Sequence, residues 1–204
     1  MPLLFKFYFC IYLVAIICLH ELAHLGAAIW CKCGVNRVSF GFGKVLYSKK
    51  WKEIDWQIRA IPLGGECSLQ DELSLTSNKT SFSNLRFTKK AIISLAGVTL
   101  NIIMGYICYK LSYLIMTYSI SYAVLSEQLW LFGYLSLSLG ITNALPLAPC
   151  LDGGYVVYVP ILVKKYGLKK GYEVFASWVK KSFKIIMILN ILSIPLFIYW
   201  LIKG

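Results

Sequence analysis

Histidine is almost missing from this sequence: 204 residues contain two, His20 and His24. Acid is scarce as well, with nine Asp and Glu against 21 Lys and Arg and a formal net charge of +12. There is no Cys-x-x-Cys pair; one residue separates Cys31 from Cys33, a gap that suits neither a redox couple nor a zinc pair. The seven cysteines are an odd number, several of them in apolar stretches where a free thiol behaves as a small hydrophobe, so a disulfide framework is excluded. Internal repeats and low-complexity segments are absent, and no polar stretch is long enough for a separate soluble domain of typical size. Nor do the basic residues interleave with aromatics as a nucleic-acid groove requires. They stand in blocks at the ends of apolar segments, which excludes a nucleic-acid partner and marks membrane topology instead.

What the chain has in excess is apolar surface. It is 58% hydrophobic, with a mean hydropathy of +0.67, against about 45–50% apolar residues in an ordinary soluble domain. Four segments, about 3–31, 91–118, 129–163 and 183–202, approach or exceed the roughly 20 residues that cross a bilayer as helix. The expected fold is an all-α polytopic membrane protein of about four transmembrane helices, with a small membrane-associated β region at about 34–65, forming one domain over 1–204. Eleven of the 21 basic residues lie in 32–90 and seven in 164–184, leaving only Lys6, Lys110 and Lys203, while 119–128 has none. The positive-inside rule then puts both basic loops in the cytoplasm and both termini outside. A cleavable leader ending near Gly26-Ala27-Ala28 would discard both histidines, and the motifs below make sense only with them.

Within 32–90, "VNRVSFGFGKVLYS" and "IDWQIRAIPLGG" carry β-branched and aromatic residues in partial alternation between glycines, which predicts two to four short strands. Trp51 and Trp56 suit the membrane interface. The polar run "QDELSLTSNKTSFSN" predicts a flexible loop, and 164–182 an amphipathic surface helix.

Both histidines sit in the first apolar segment as His20-Glu21-Leu22-Ala23-His24. On a helix, positions i and i+4 share a face with Cβ atoms about 5–6 Å apart. Two neutral imidazoles can then reach one ion at a zinc–nitrogen distance near 2.0–2.1 Å. Glu21, one step round, is placed for a general base rather than a ligand. An ionisable side chain at mid-span costs roughly 2.5–3.5 kcal/mol even on a lenient scale, so three within five positions call for a cation.

A catalytic zinc needs a third protein ligand and an open position. The one acid deep in another span is Asp152, in "NALPLAPCLDGGYVV". His20 lies eleven residues before Cys31 and Asp152 twelve before Lys164, which at about 1.5 Å per residue puts both at similar depth. Glu66, Asp71 and Glu72 follow the strand region and are expected to be solvated. Pro146 and Pro149 with Gly153-Gly154 should break the third span, and irregular backbone at that depth implies a water-reached pocket.

Taken in order, His20-Glu21-Leu22-Ala23-His24, "IPLGG" at 61–65, "LAGVTLN" at 95–101 and "NALPLAPCLDGG" at 143–154 resemble the motifs of the site-2 protease family of intramembrane zinc metalloproteases. The resemblance implies zinc held by His20, His24 and Asp152, Glu21 as general base and acid, and Asn143 as a residue that touches substrate backbone. It also implies hydrolysis of a membrane-embedded protein or peptide in the cytoplasmic half of the cell membrane. The pattern departs from the family where Val98 replaces a proline and where one extra residue separates Asn143 from Asp152. No inserted PDZ or appended nucleotide-sensing CBS domain is expected within these 204 residues. Two rivals are a membrane zinc protease whose third ligand is a glutamate on a later helix, although Glu127 falls in the outer connection and Glu173 in the basic surface segment, and a non-proteolytic zinc carrier or silent adaptor.

Overall fold

A computed structural model describes residues 3–73, 75, 78–118 and 122–203. Helix α1 spans Leu3–Trp30, strands β1 and β2 span Val35–Trp51 and Ile54–Leu69, and a short 3-10 turn spans Phe82–Asn84. Four helices follow: α2 (Phe87–Tyr118), α3 (Ala123–Ala144), α4 (Asp152–Tyr166) and α5 (Leu168–Lys203). Among the described residues, α1, α2 and α3 are each long and apolar enough to cross a membrane. The chain is mostly helical, with one small sheet between its first two long helices, as expected.

The third apolar segment is broken where its prolines stand. Leu145 precedes Pro146, whose ring disfavours a helical residue before it, and Leu145 is extended (φ −74°, ψ 135°). The chain turns through 145–151 and re-enters helix at Asp152, so this aspartate opens α4 rather than sitting inside one long span. A β-carbon on Gly153 would lie 2.0 Å from the Ala144 carbonyl oxygen, so only glycine lets the two helices meet this closely. Two boundaries move. Glu127, expected in the outer connection, lies within α3, and residues 119–121 of that connection are outside the described set. The basic segment 164–182 is divided, and its larger part is joined to the apolar segment 183–202: Lys164 and Lys165 close α4, and after Gly167 (φ +79°) one helix, α5, runs from Leu168 through both. Several side chains of the expected fourth span fall outside the described residues.

The β region is two long strands rather than several short ones, yet it packs as four segments. Positive φ at Gly41 (+93°) and Gly43 (+80°) bends β1. Residues Arg37 to Phe40 therefore pair twice, with Ser68 to Gly65 on one side and with Asp55 to Ile58 on the other. Beyond the bend, Tyr47 to Trp51 pair with Ile58 to Ile54 in an antiparallel hairpin closed by Lys52 and Glu53, both at positive φ. β2 runs past Gly65 to Leu69, so Glu66 belongs to the sheet and not to a loop.

One core locks this sheet to the helices. Phe82, fully buried, sits among Ala28 of α1, Ile93 of α2, Tyr155 and Val159 of α4, and Phe175 of α5. Its ring stands edge-on to Tyr155 at 5.0 Å, and Tyr155 to Phe175 at 5.5 Å. Lys90 is buried at the start of α2, where its Nζ donates to the Ser83 carbonyl and to the Tyr172 hydroxyl; Tyr172 in turn hydrogen-bonds Tyr155. A buried ammonium is tolerable only with such partners, and here they tie α2, α4 and α5 together below the site.

Candidate metal centre

Three ligand-type atoms converge where α1 meets the start of α4. His20 Nε2 lies 3.0 Å from Asp152 Oδ2, His24 Nε2 lies 3.4 Å from Asp152 Oδ1, and the two Nε2 atoms are 3.1 Å apart. Among the described residues this is the one group of three His, Cys, Asp or Glu side chains close enough to share an ion. Glu127 and Glu173 are not part of it.

The ring orientations fit a metal. His24 Nδ1 donates to the Ile93 carbonyl at 2.7 Å; a carbonyl only accepts, so in the neutral ring Nε2 of His24 carries the lone pair. That lone pair faces a carboxylate and a second imidazole, an arrangement of acceptors that calls for a proton or a metal cation between them. His20 Nδ1 lies 3.0 Å from the side-chain nitrogen Nδ2 of Asn101, a residue fully buried in α2 whose Oδ1 has no hydrogen-bond partner. Exchanging the amide's nitrogen and oxygen satisfies both groups: Oδ1 then accepts Nδ1–H of His20 and leaves its Nε2 lone pair free as well. Ser136 of α3 holds Asn101 in turn, donating from Oγ to its backbone carbonyl at 2.9 Å. Two nitrogens and a carboxylate, each ring fixed by a second hydrogen bond, form a donor set suited to zinc.

A cavity of about 410 Å³ opens over this cluster. Glu21, buried in α1, reaches it beside His20, packed so closely on β2 that a β-carbon on Gly65 would lie 2.5 Å from its Cγ. Asn143 also lines the cavity, with Nδ2 3.4 Å from His20 Nε2. All five expected site residues therefore face one space. Its remaining walls are mostly apolar: Phe42 and Leu63 from the sheet, Leu139 from α3, and Phe175, Val179, Phe183 and Ile186 from α5. Phe42 and Phe183 meet edge-on across it at 5.8 Å.

The acids expected in solvent behave differently. Glu66 pairs with Arg37 at 2.9 Å and lines the cavity. Glu72 also lines it, and burial pushes its carboxyl up to about 7. The Ile93 carbonyl that holds His24 has no side-chain signature in the sequence. For Gly97 and Asn101 the signal was present: a glycine and an asparagine four apart share one face of an apolar helix.

The model of peptidase family M50 matches residues 8–125, more than half of the chain. Protease RseP of Yersinia pestis is 31% identical over 112 residues, which are 52% of this chain and 25% of that protein. Two proteins named "Putative zinc metalloprotease" are also similar. The one from Treponema pallidum is 39% identical over 57 residues, 28% of this chain and 13% of its own length. The one from Nostoc sp. is 37% identical over 98 residues, 46% and 27% respectively. The matched stretch thus spans about a quarter or less of these relatives.

Proposed function

This chain belongs to peptidase family M50, the site-2 protease family, and from that premise we propose that it is a zinc-dependent endopeptidase, acting as one domain over 1–204, that cleaves transmembrane segments or hydrophobic peptide remnants. The observation that carries the proposal is the convergence of His20, His24 and Asp152 under a cavity that also receives Glu21.

Zinc held by Nε2 of His20 and His24 and by the Asp152 carboxylate would supply a Lewis acid for the scissile carbonyl and acidify a nearby water. Glu21 takes the proton from that water and hands it to the leaving amine. Buried against Gly65, its carboxylate has little room to swing away. Ile93 and Asn101 fix both imidazoles in the orientation that would bind such an ion. Asn143, beside His20, is placed to hold substrate backbone.

A peptide bond inside a helix is shielded by its own hydrogen bonds, so the substrate must be extended before attack. Leu63 to Cys67 of β2 line the cavity, and an extended substrate adding to this edge regains the backbone bonds lost from its helix. The apolar walls from α5 suit a hydrophobic chain. The multi-pass chain has its basic loops in the cytoplasm and both termini outside, so the cut falls near the cytoplasmic side. The direct test is cleavage of a reconstituted single-span substrate by purified protein. Glu21→Gln should keep zinc and lose cleavage; a Glu21→Gln protein that still cuts would refute the mechanism.

A further inference from the structure

Asp152 is the site residue whose position the local backbone secures least. It is the first residue of α4, reached through the turns of 145–151, and Leu151 before it supplies no side-chain cap. Helix ends fray, whereas a metal site tolerates only about 0.2 Å in its ligand distances. The pin has to lie further along α4. One turn on, Tyr155 is buried with its ring edge-on to Phe82 and Phe175, and its hydroxyl lies 2.9 Å from that of Tyr172 in α5. Tyr172 is firmly placed in its turn. Gly171 beside it lets α5 cross α4 so closely that a β-carbon there would lie 2.9 Å from the Leu162 carbonyl oxygen.

The other end of this connection is a buried charge. Lys90 Nζ donates to the Tyr172 hydroxyl at 2.5 Å and to the Ser83 carbonyl at 2.7 Å, and it stands 5.1 Å over the Tyr172 ring. An ammonium out of water gives up such acceptors only at high cost, so Tyr172 is held tightly to the first turn of α2. Lys90 also stands one turn before Ile93, whose carbonyl accepts the Nδ1 hydrogen of His24. Lys90, Tyr172 and Tyr155 therefore join the turn of α2 that orients one imidazole to the turn of α4 that carries the facing carboxylate. We propose that Lys90 is a positioning residue of the metal centre, its ammonium setting the distance of Asp152 from His24 through Tyr172 and Tyr155. Lys90 does not line the cavity and acts only through these partners. The inference rests on the zinc reading of the site given above.

The test compares variants of the full chain in detergent by three readouts: zinc affinity in a competitive chelator titration, visible absorption of the cobalt-loaded protein, and melting of the zinc-stripped protein. Tyr172→Phe and Tyr155→Phe keep both rings in the core and delete only the hydroxyls. Tyr172→Phe should weaken zinc binding about tenfold or more and shift the cobalt bands, which report coordination geometry. Tyr155→Phe breaks the same connection, so the two combined should cost no more than Tyr172→Phe alone. Lys90→Met should lose at least as much, and Lys90→Arg, which keeps donors and charge, should recover part of it. The tyrosine variants decide the matter if Lys90→Met fails to fold. Val159→Ala, a core truncation outside the connection, should lower the melting temperature and leave zinc affinity and cobalt bands unchanged. Parent-like affinity and bands in Tyr172→Phe, losses that add across the two tyrosines, or equal losses in Val159→Ala would overturn the proposal. A parent chain that takes up neither zinc nor cobalt would overturn the zinc reading and this inference with it.

Discussion

Gly97 of α2 approaches His24 so closely that a β-carbon on the glycine would stand 2.6 Å from the imidazole Nε2. The same β-carbon would meet His20 Nε2 and Cε1 at 2.6 Å. The backbone of α2 is in effect the floor on which both rings rest. Gly97→Ala should displace both imidazoles while leaving the helices intact, reducing zinc content and cleavage together at unchanged circular dichroism. A variant with full zinc occupancy would show that the rings have room to move.

Asn101 acts on the metal through His20. Outer partners of this kind typically change metal affinity 10–100-fold. Asn101→Leu, which keeps the volume but removes the amide, should weaken zinc binding within that range in a competitive chelator titration. Ser136→Ala, one bond further out, should do less.

Phe82 anchors the core that sets α4 and α5 beneath the cavity. Its replacement by alanine should destabilise the fold by about 3–5 kcal/mol, since it empties a fully buried aromatic site. Thermal unfolding in detergent reads this directly, and a loss under about 1 kcal/mol would place the core elsewhere.

Glu72 gives the fold a pH dependence. Burial raises its carboxyl from an ordinary 4.5 to about 7 in the folded chain, so between those values the folded state holds more protons than the unfolded one. Its contribution is fully present below pH 4.5 and is lost as pH rises through about 7. Glu72→Gln in zinc-stripped protein should melt like the parent at acid pH and above it at pH 8. Parallel melting curves across that window would remove Glu72 from the account.

His20, Glu21 and His24 were legible because their relation is local: helical spacing alone stacks the rings and sets the glutamate aside. Asp152 was legible through its rarity and through the prolines before it, although the break it follows makes it the first residue of a helix. The sheet was less so. Its strands are individually visible, but the double pairing of Arg37 to Phe40 follows from bends at Gly41 and Gly43 that alternation does not encode. α5 was divided in error because a change from lysine-rich to apolar composition moves a helix between environments without ending it. The Ile93 carbonyl could not be found at all, since every residue offers one.

If His20, His24 and Asp152 together hold one zinc, X-ray absorption at the zinc edge of the purified protein will show one zinc per chain with two nitrogen ligands near about 2.0–2.1 Å, oxygen completing the shell and no sulfur. His20→Ala and Asp152→Ala should each lose the metal. A sulfur shell near about 2.3 Å, pointing to the cavity's Cys67 or Cys150, or full zinc occupancy in Asp152→Ala, would contradict it.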